Sequence, residues 1–124
     1  MDCDQLKIVH FPKKLECIGG SSFLGAGLES VELPASVRIV DQCSFCLCKS
    51  LKYAKLNEGL EVLGVDEYAK DGGQYYGVFE RSALERVDLP STLRRIEYNA
   101  FRGCENLKSI NFPDGLEYIG KWCF

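Results

Sequence analysis

The amino-acid sequence predicts a β-rich solenoid: about five stacked coils of ~23 residues, a short parallel sheet on one face, and one hairpin inserted in the third coil. Three features predict it. Leucine, isoleucine and phenylalanine recur in phase along the chain, paired apolar positions sit two residues apart, and proline follows four of the five pairs.

The units begin at Leu6, Leu28, Leu51, Leu84 and Leu107, with spacings of 22, 23, 33 and 23 residues. Offset three holds Val9, Val31, Ala54, Val87 and Ile110, and offset five holds Phe11, Leu33, Leu56, Leu89 and Phe112. Positions two apart point to one face of an extended segment, so both rows face inward and their neighbours face solvent. Proline at offset six (Pro12, Pro34, Pro90, Pro113) ends the strand, because it has no N–H to donate to the next one. The chain turns and returns through apolar residues at offsets nine and twelve, such as Leu60 with Leu63 and Leu93 with Ile96. A further turn near Gly19, Gly64 or Gly120 leads to a closing phenylalanine: Phe23, Phe45, Phe79, Phe101 and Phe124. One such coil cannot bury its own apolar face. Stacking coils about 4.7–4.9 Å apart makes a continuous sheet and a continuous apolar interior.

Written as L-x-x-I-x-L-P-x-x-L-x-x-I-G-x-x-x-F-x-x-C, the pattern resembles the BspA-type leucine-rich repeats. The segments LERVDLPSTLRRIEYNAFRGCENLKSINFPDGLEYIGKWCF and LESVELPASVRIVDQCSFCLCKSL carry the resemblance, which covers nearly the whole chain. Two departures stand out. Asn57 replaces proline in the third unit, and that unit has roughly ten extra residues. The resemblance implies a leucine-rich-repeat solenoid spanning residues 1–124, a role in attachment or ligand binding at a cell surface or after secretion, and no catalytic residues. The fifth unit stops on Phe124 without a polar terminal coil, so the reading expects a longer array and end-to-end self-association through that coil.

The extra residues, about 65–76, include Asp71-Gly72-Gly73, which supplies the positive-φ residues of a tight hairpin turn. Coil residues must stay in phase, so the insertion is expected to be extruded. Tyr68, Tyr75 and Tyr76 flank the turn, and tyrosine offers large amphipathic contact area at low rotamer cost. Deleting Val65–Tyr76 is the direct test of a contact role. The outward sheet positions, offsets two and four, form a mixed polar face that includes Tyr53, Lys55, Arg86 and Asp88. Five strands of roughly 10–13 Å at about 4.8 Å spacing give only about 200–300 Å² of projected face. A standard interface buries about 800 Å² per partner, so this face alone binds weakly.

Composition excludes several function classes. The net charge of −3, with 15 basic residues dispersed among 18 acidic ones, provides no phosphate-binding track, so nucleic acid is not expected as a partner. No run approaches the roughly 20 apolar residues of a membrane span, so no membrane insertion is expected, and the acidic start Met-Asp-Cys-Asp-Gln is no secretory signal. Seven cysteines cannot all pair internally, which favours reduced thiols and leaves room for one or two disulfides. Cys48 and Cys104 share a slot with Ala26 and Ser82, and Cys123 shares one with Ser22, Ser44, Val78 and Ala100, as small buried residues would. Cys43-x-x-Cys46-x-Cys48 lacks the further converging ligands of a zinc site, and His10 falls on the opposite strand face. Neither metal nor cofactor is expected. The single histidine has no nucleophile at a shared site and no phosphate-cradling loop is present, so no enzyme is expected. The reading is a recognition module for a protein or glycan, with a passive spacer in a surface repeat array as the alternative.

Overall fold

The computed structural model describes residues 9, 11–64, 76–108, 110–121 and 123–124. Its strands in chain order are β1 (Cys17–Ile18), β2 (Ser30–Glu32), β3 (Ile39–Val40), β4 (Tyr53–Lys55), β5 (Val62–Leu63), β6 (Arg86–Asp88), β7 (Arg95–Ile96) and β8 (Tyr118–Ile119). They form two parallel sheets, β2-β4-β6 and β1-β3-β5-β7-β8. Every pairing joins equivalent positions of consecutive coils: Val31 faces Ala54, Ala54 faces Val87, and Val40, Leu63 and Ile96 lie in one row. This is the solenoid that the repeat predicts.

The three-residue strands show why the apolar pair at offsets three and five matters. Val31, Ala54 and Val87 are buried, while Ser30, Glu32, Lys55 and Arg86 on either side of them are exposed. The five-stranded sheet is an addition to the sequence reading, which places a single sheet on one face. Its strands are the return legs, at offsets eleven and twelve. Two residues are too few to show a strand period in sequence. They pair because stacking brings each leg against its equivalent, as in Arg38 N–H to Glu16 C=O at 2.9 Å and Arg94 N–H to Glu61 C=O at 2.9 Å.

Each coil turns the same way after its first strand. The carbonyl at offset six accepts the N–H at offset nine at 3.2 Å in all five coils, from Pro12, Pro34, Asn57, Pro90 and Pro113. Asn57 keeps the turn without the proline ring. Its buried amide nitrogen donates to Val37 C=O of the preceding coil at 2.9 Å, replacing a conformational restraint by an inter-coil hydrogen bond.

The interior is a ladder of leucine, isoleucine and valine closed by stacked phenylalanines. Phe23, Phe45, Phe79, Phe101 and Phe124 succeed one another at ring-centroid distances of 5.3, 5.4, 5.7 and 5.6 Å, with ring planes within 15° of parallel. Phe11 and Phe112 meet the terminal rings edge-on at 5.7 and 5.8 Å. Two residues beyond each of the first four closing phenylalanines the backbone is left-handed: Gly25 (φ 68°), Leu47 (φ 59°), Arg81 (φ 57°) and Gly103 (φ 73°). This bend turns the chain towards the next coil.

Candidate functional site

The exposed face of β2-β4-β6 carries four of the residues singled out in sequence. Alternation along β4 and β6 turns Tyr53, Lys55, Arg86 and Asp88 outward because Ala54 and Val87 are pinned in the core. Parallel register then sets Tyr53 beside Arg86 and Lys55 beside Asp88. The Tyr53 hydroxyl donates to Asp88 Oδ2 at 2.5 Å. Arg86 donates to the same carboxylate through Nε at 3.1 Å and a terminal nitrogen at 3.3 Å. Its guanidinium carbon lies 5.1 Å from the Tyr53 ring centroid, within cation–π range. Lys55 turns the other way, to Glu32 at 3.6 Å. Tyr53, Arg86 and Asp88 are thus one fixed cluster, with Lys55 and Glu32 beside it.

The cluster perturbs its own titration. The Tyr53 hydrogen bond holds Asp88 below the usual carboxylate range, with Arg86 adding to the effect. The same bond raises the Tyr53 phenol, since ionising it would place two negative charges in contact. Both groups lie at the surface, so solvent screens these effects and their contribution to stability is small.

The inserted segment joins the third coil between Gly64 and Tyr76. Tyr68 and Tyr75 lie outside the described residues, as does the predicted hairpin turn. Tyr76 is exposed. Gly64 has φ +98°, and a Cβ there would lie 2.9 Å from Glu97 Cβ of the fourth coil. A Cβ on Gly77 would collide with the Asn99 backbone. Two glycines therefore flank the insertion because the fourth coil presses against both. Tyr76 belongs to the segment leading into Phe79, whereas Tyr53, Lys55, Arg86 and Asp88 belong to the first strands of their coils. The sequence candidates thus divide between two parts of the coil.

The model of the BspA type leucine rich repeat region matches residues 1–70 and 75–124, in six copies. The chain belongs to the BspA-type leucine-rich repeat family. Among solved structures, this BspA-type chain is similar to the pneumococcal vaccine antigen PcpA, with 27% identity and a TM-score of 0.61 over 95% of the chain. It spans 24% of that antigen's length. A leucine-rich repeat protein from Bacteroides ovatus aligns over 95% of this chain and 40% of its own length, at 19% identity and a TM-score of 0.38. No curated protein matches the sequence.

The cysteines of this BspA-type chain mostly occupy the small-residue slots expected of them. Cys48 and Cys123 are buried and Cys104 is half-buried. Cys48 donates to Phe23 C=O and Cys104 to Phe79 C=O, each at 3.1 Å, so each thiol ties one coil to the one before. Burial pushes the Cys48 thiol up to about 11 and raises Cys104 and Cys123 as well. Such thiols are poor nucleophiles and poor metal ligands. Cys43 and Cys46 are joined by a disulfide, within the one or two that the odd cysteine count leaves room for. A left-handed Cys43 (φ 55°) bends the chain so that the two Cα atoms lie 4.8 Å apart, inside disulfide range. Among the described residues no three histidine, cysteine or acidic side chains converge as a metal site would require. No helix among them is long and apolar enough to cross a membrane.

Proposed function

We propose that this chain is a non-enzymatic recognition module that binds a protein or glycan through the Tyr53–Arg86–Asp88 cluster and the inserted tyrosine-bearing segment. One observation carries the reading. The three side chains hold one another in place on an exposed sheet face, so a ligand meets aromatic surface, a guanidinium and a carboxylate already ordered. Preorganisation of this kind lowers the entropic cost of binding. The insertion supports the reading too, because it adds Tyr68, Tyr75 and exposed Tyr76 to a scaffold whose own sheet face is small. A place at a cell surface or in the secreted fraction accompanies this reading, in keeping with the similarity to a pneumococcal antigen.

The test is affinity capture followed by mass spectrometry. The intact chain is run beside a Tyr53→Ala/Arg86→Ala variant and a Val65–Tyr76 deletion. A partner retained by the intact chain and lost from either variant supports recognition and identifies which group makes the contact. Equal capture by all three removes both groups from the binding site. A second reading, a spacer within a surface repeat array, draws on the similarity to an antigen of which this chain spans only 24%. Capture of nothing by any of the three favours it.

A further inference from the structure

The corner that leads from each closing phenylalanine to the next unit varies in length. Phe23 and Leu28 are five residues apart, as are Phe79 and Leu84, whereas Phe45 and Leu51 are six apart, as are Phe101 and Leu107. The short corner Arg81-Ser82-Ala83 is therefore set between two longer ones, which carry Lys49-Ser50 and Glu105-Asn106. Stacking holds the three in line. Leu47 N–H donates to Glu80 C=O at 2.9 Å, Arg81 N–H to Arg102 C=O at 2.8 Å, and Ala83 N–H to Cys48 C=O at 3.2 Å. At the short corner the surface is recessed, leaving a notch of about 390 Å³. Buried Ser82 and half-buried Ala83 form its floor, with exposed Lys49 on one side and exposed Glu105 and Asn106 on the other.

The notch collects polar groups that the fold leaves unused. Arg81 lies across Gly103, where a Cβ would come 2.9 Å from Arg81 Cγ, so the glycine makes room for the arginine stem. Among the described residues the Arg81 guanidinium has no hydrogen-bond or ion-pair partner, and neither do the side chains of Glu105 and Asn106. Lys49 Nζ donates to Arg81 C=O at 2.9 Å and keeps its remaining N–H groups for a ligand. Ser82 Oγ, by contrast, is engaged with Cys104 Sγ at 3.5 Å.

We infer that this notch is a binding site for a carboxylated sugar, a hexuronate or a sialic acid. Lys49 and Arg81 against Glu105 leave one positive charge in a chain whose net charge is −3, so a singly charged anion matches it. A carboxylate pairs with the guanidinium and the ammonium through charge-assisted hydrogen bonds. Sugar hydroxyls donate to the Glu105 carboxylate and exchange hydrogen bonds with the Asn106 amide, which a simple inorganic anion cannot do. The volume is at the small end of ligand sites, enough for one or two sugar rings. Ala83 is the one apolar side chain in the lining, so the notch offers no pocket for the aromatic or aliphatic anchor of a protein partner. Neither the Tyr53 cluster nor the insertion lines it, and the inference stands apart from the reading above.

The test is an amide NMR titration of the intact chain with methyl β-glucuronide and with the methyl glycoside of N-acetylneuraminic acid. Methyl β-glucoside is the control, since it has the size of the first probe and lacks only the carboxylate. At least one acidic sugar should bind about tenfold or more tightly than the glucoside, as a charge-assisted pair implies, and should move the Ala83 backbone and Asn106 side-chain signals. Arg81→Gln and Lys49→Gln remove one cation each at exposed positions, where the fold tolerates substitution, and each should weaken binding roughly three- to tenfold. Tyr53→Ala/Arg86→Ala should leave it unchanged, which separates this site from the sheet cluster. The inference is overturned if neither acidic sugar binds, if the glucoside binds as tightly, or if sodium sulfate moves the same signals at the same concentrations. It is overturned too if either glutamine variant binds like the parent, or if the Tyr53/Arg86 variant loses the sugar.

Discussion

Phe45 and Phe79 stack at 5.4 Å with their ring planes 12° apart, although the chain between them is eleven or twelve residues longer than between the other stacked pairs. The ladder continues through the third coil as if nothing had been inserted. The extra residues therefore leave the core spacing unchanged, as expected of an insertion extruded from a solenoid.

Removing the insertion should consequently leave the fold intact. In the fourth coil, Glu97-Tyr98-Asn99-Ala100 connects Ile96 to Phe101. Excising residues 65–75 would leave Gly64-Tyr76-Gly77-Val78 between Leu63 and Phe79, a connection of the same length. This variant should keep its circular dichroism spectrum and lose no more than about 1 kcal/mol in denaturant unfolding. Phe79→Ala, by contrast, empties a fully buried slot and should cost about 3–5 kcal/mol. A deletion as damaging as the alanine substitution would mean that the insertion is part of the core.

Most of the scaffold could be read from the sequence because its determinants are periodic. Val31, Ala54, Val87, Leu60, Leu93, Phe45 and Phe101 are buried at the offsets where apolar residues repeat. The five-stranded sheet is not legible in the sequence because its strands have two residues, and one of the two, as in Arg95–Ile96, need not be apolar. Only the stacking of coils makes such short segments pair. The outward positions of Tyr53, Arg86 and Asp88 followed from alternation, but not their hydrogen bonds, which depend on rotamers across two strands. The Cys43–Cys46 bond depends on a left-handed Cys43, a conformation that non-glycine residues seldom adopt and that composition does not signal.

The Tyr53–Asp88 hydrogen bond should be visible in titration. Asp88 has a depressed folded pKa, so its contribution is present above the unfolded value, near 3.9, and lost as pH falls through the folded one. Tyr53 has a raised folded pKa, so the same bond contributes below the ordinary phenol value and is lost as pH rises through the raised one. Tyr53→Phe should shift the Asp88 midpoint, followed by carboxyl NMR, back up towards the ordinary range. The stability cost should stay under about 1 kcal/mol because the pair is exposed. An unmoved midpoint would show that the cations Arg86 and Lys55 set it instead.

Leu47 is the site at which one substitution should stabilise the chain. It holds the left-handed bend that Gly25 and Gly103 occupy in other coils, at φ 59°, with its side chain partly in solvent. A left-handed residue with a Cβ costs about 1–2 kcal/mol, and glycine removes that cost while losing some chain entropy on folding. Leu47→Gly should gain roughly 0–1 kcal/mol in denaturant unfolding. Gly25→Ala, the reverse change, should lose about 1 kcal/mol. Opposite signs at the two positions would check the assignment of this bend as a common element of the coil.

Thiol reactivity should rank the cysteines by burial. Cys17 is exposed on β1, and its thiol is raised by partial burial and by the charge of Asp41. Cys48 is fully buried, donates to Phe23 C=O, and has its thiol raised from 9.0 to about 11. Two units of pKa alone reduce its thiolate about a hundredfold, and burial slows access further. Under native conditions at mildly alkaline pH, iodoacetamide should label Cys17 before the other free cysteines of the described residues and leave Cys48 and Cys123 unmodified until the chain is unfolded. Cys43 and Cys46 should become reactive only after reduction, because their sulfurs are bonded to each other. Peptide mapping by mass spectrometry resolves each position. Rapid native labelling of Cys48 would mean that the fold opens around this buried thiol in solution.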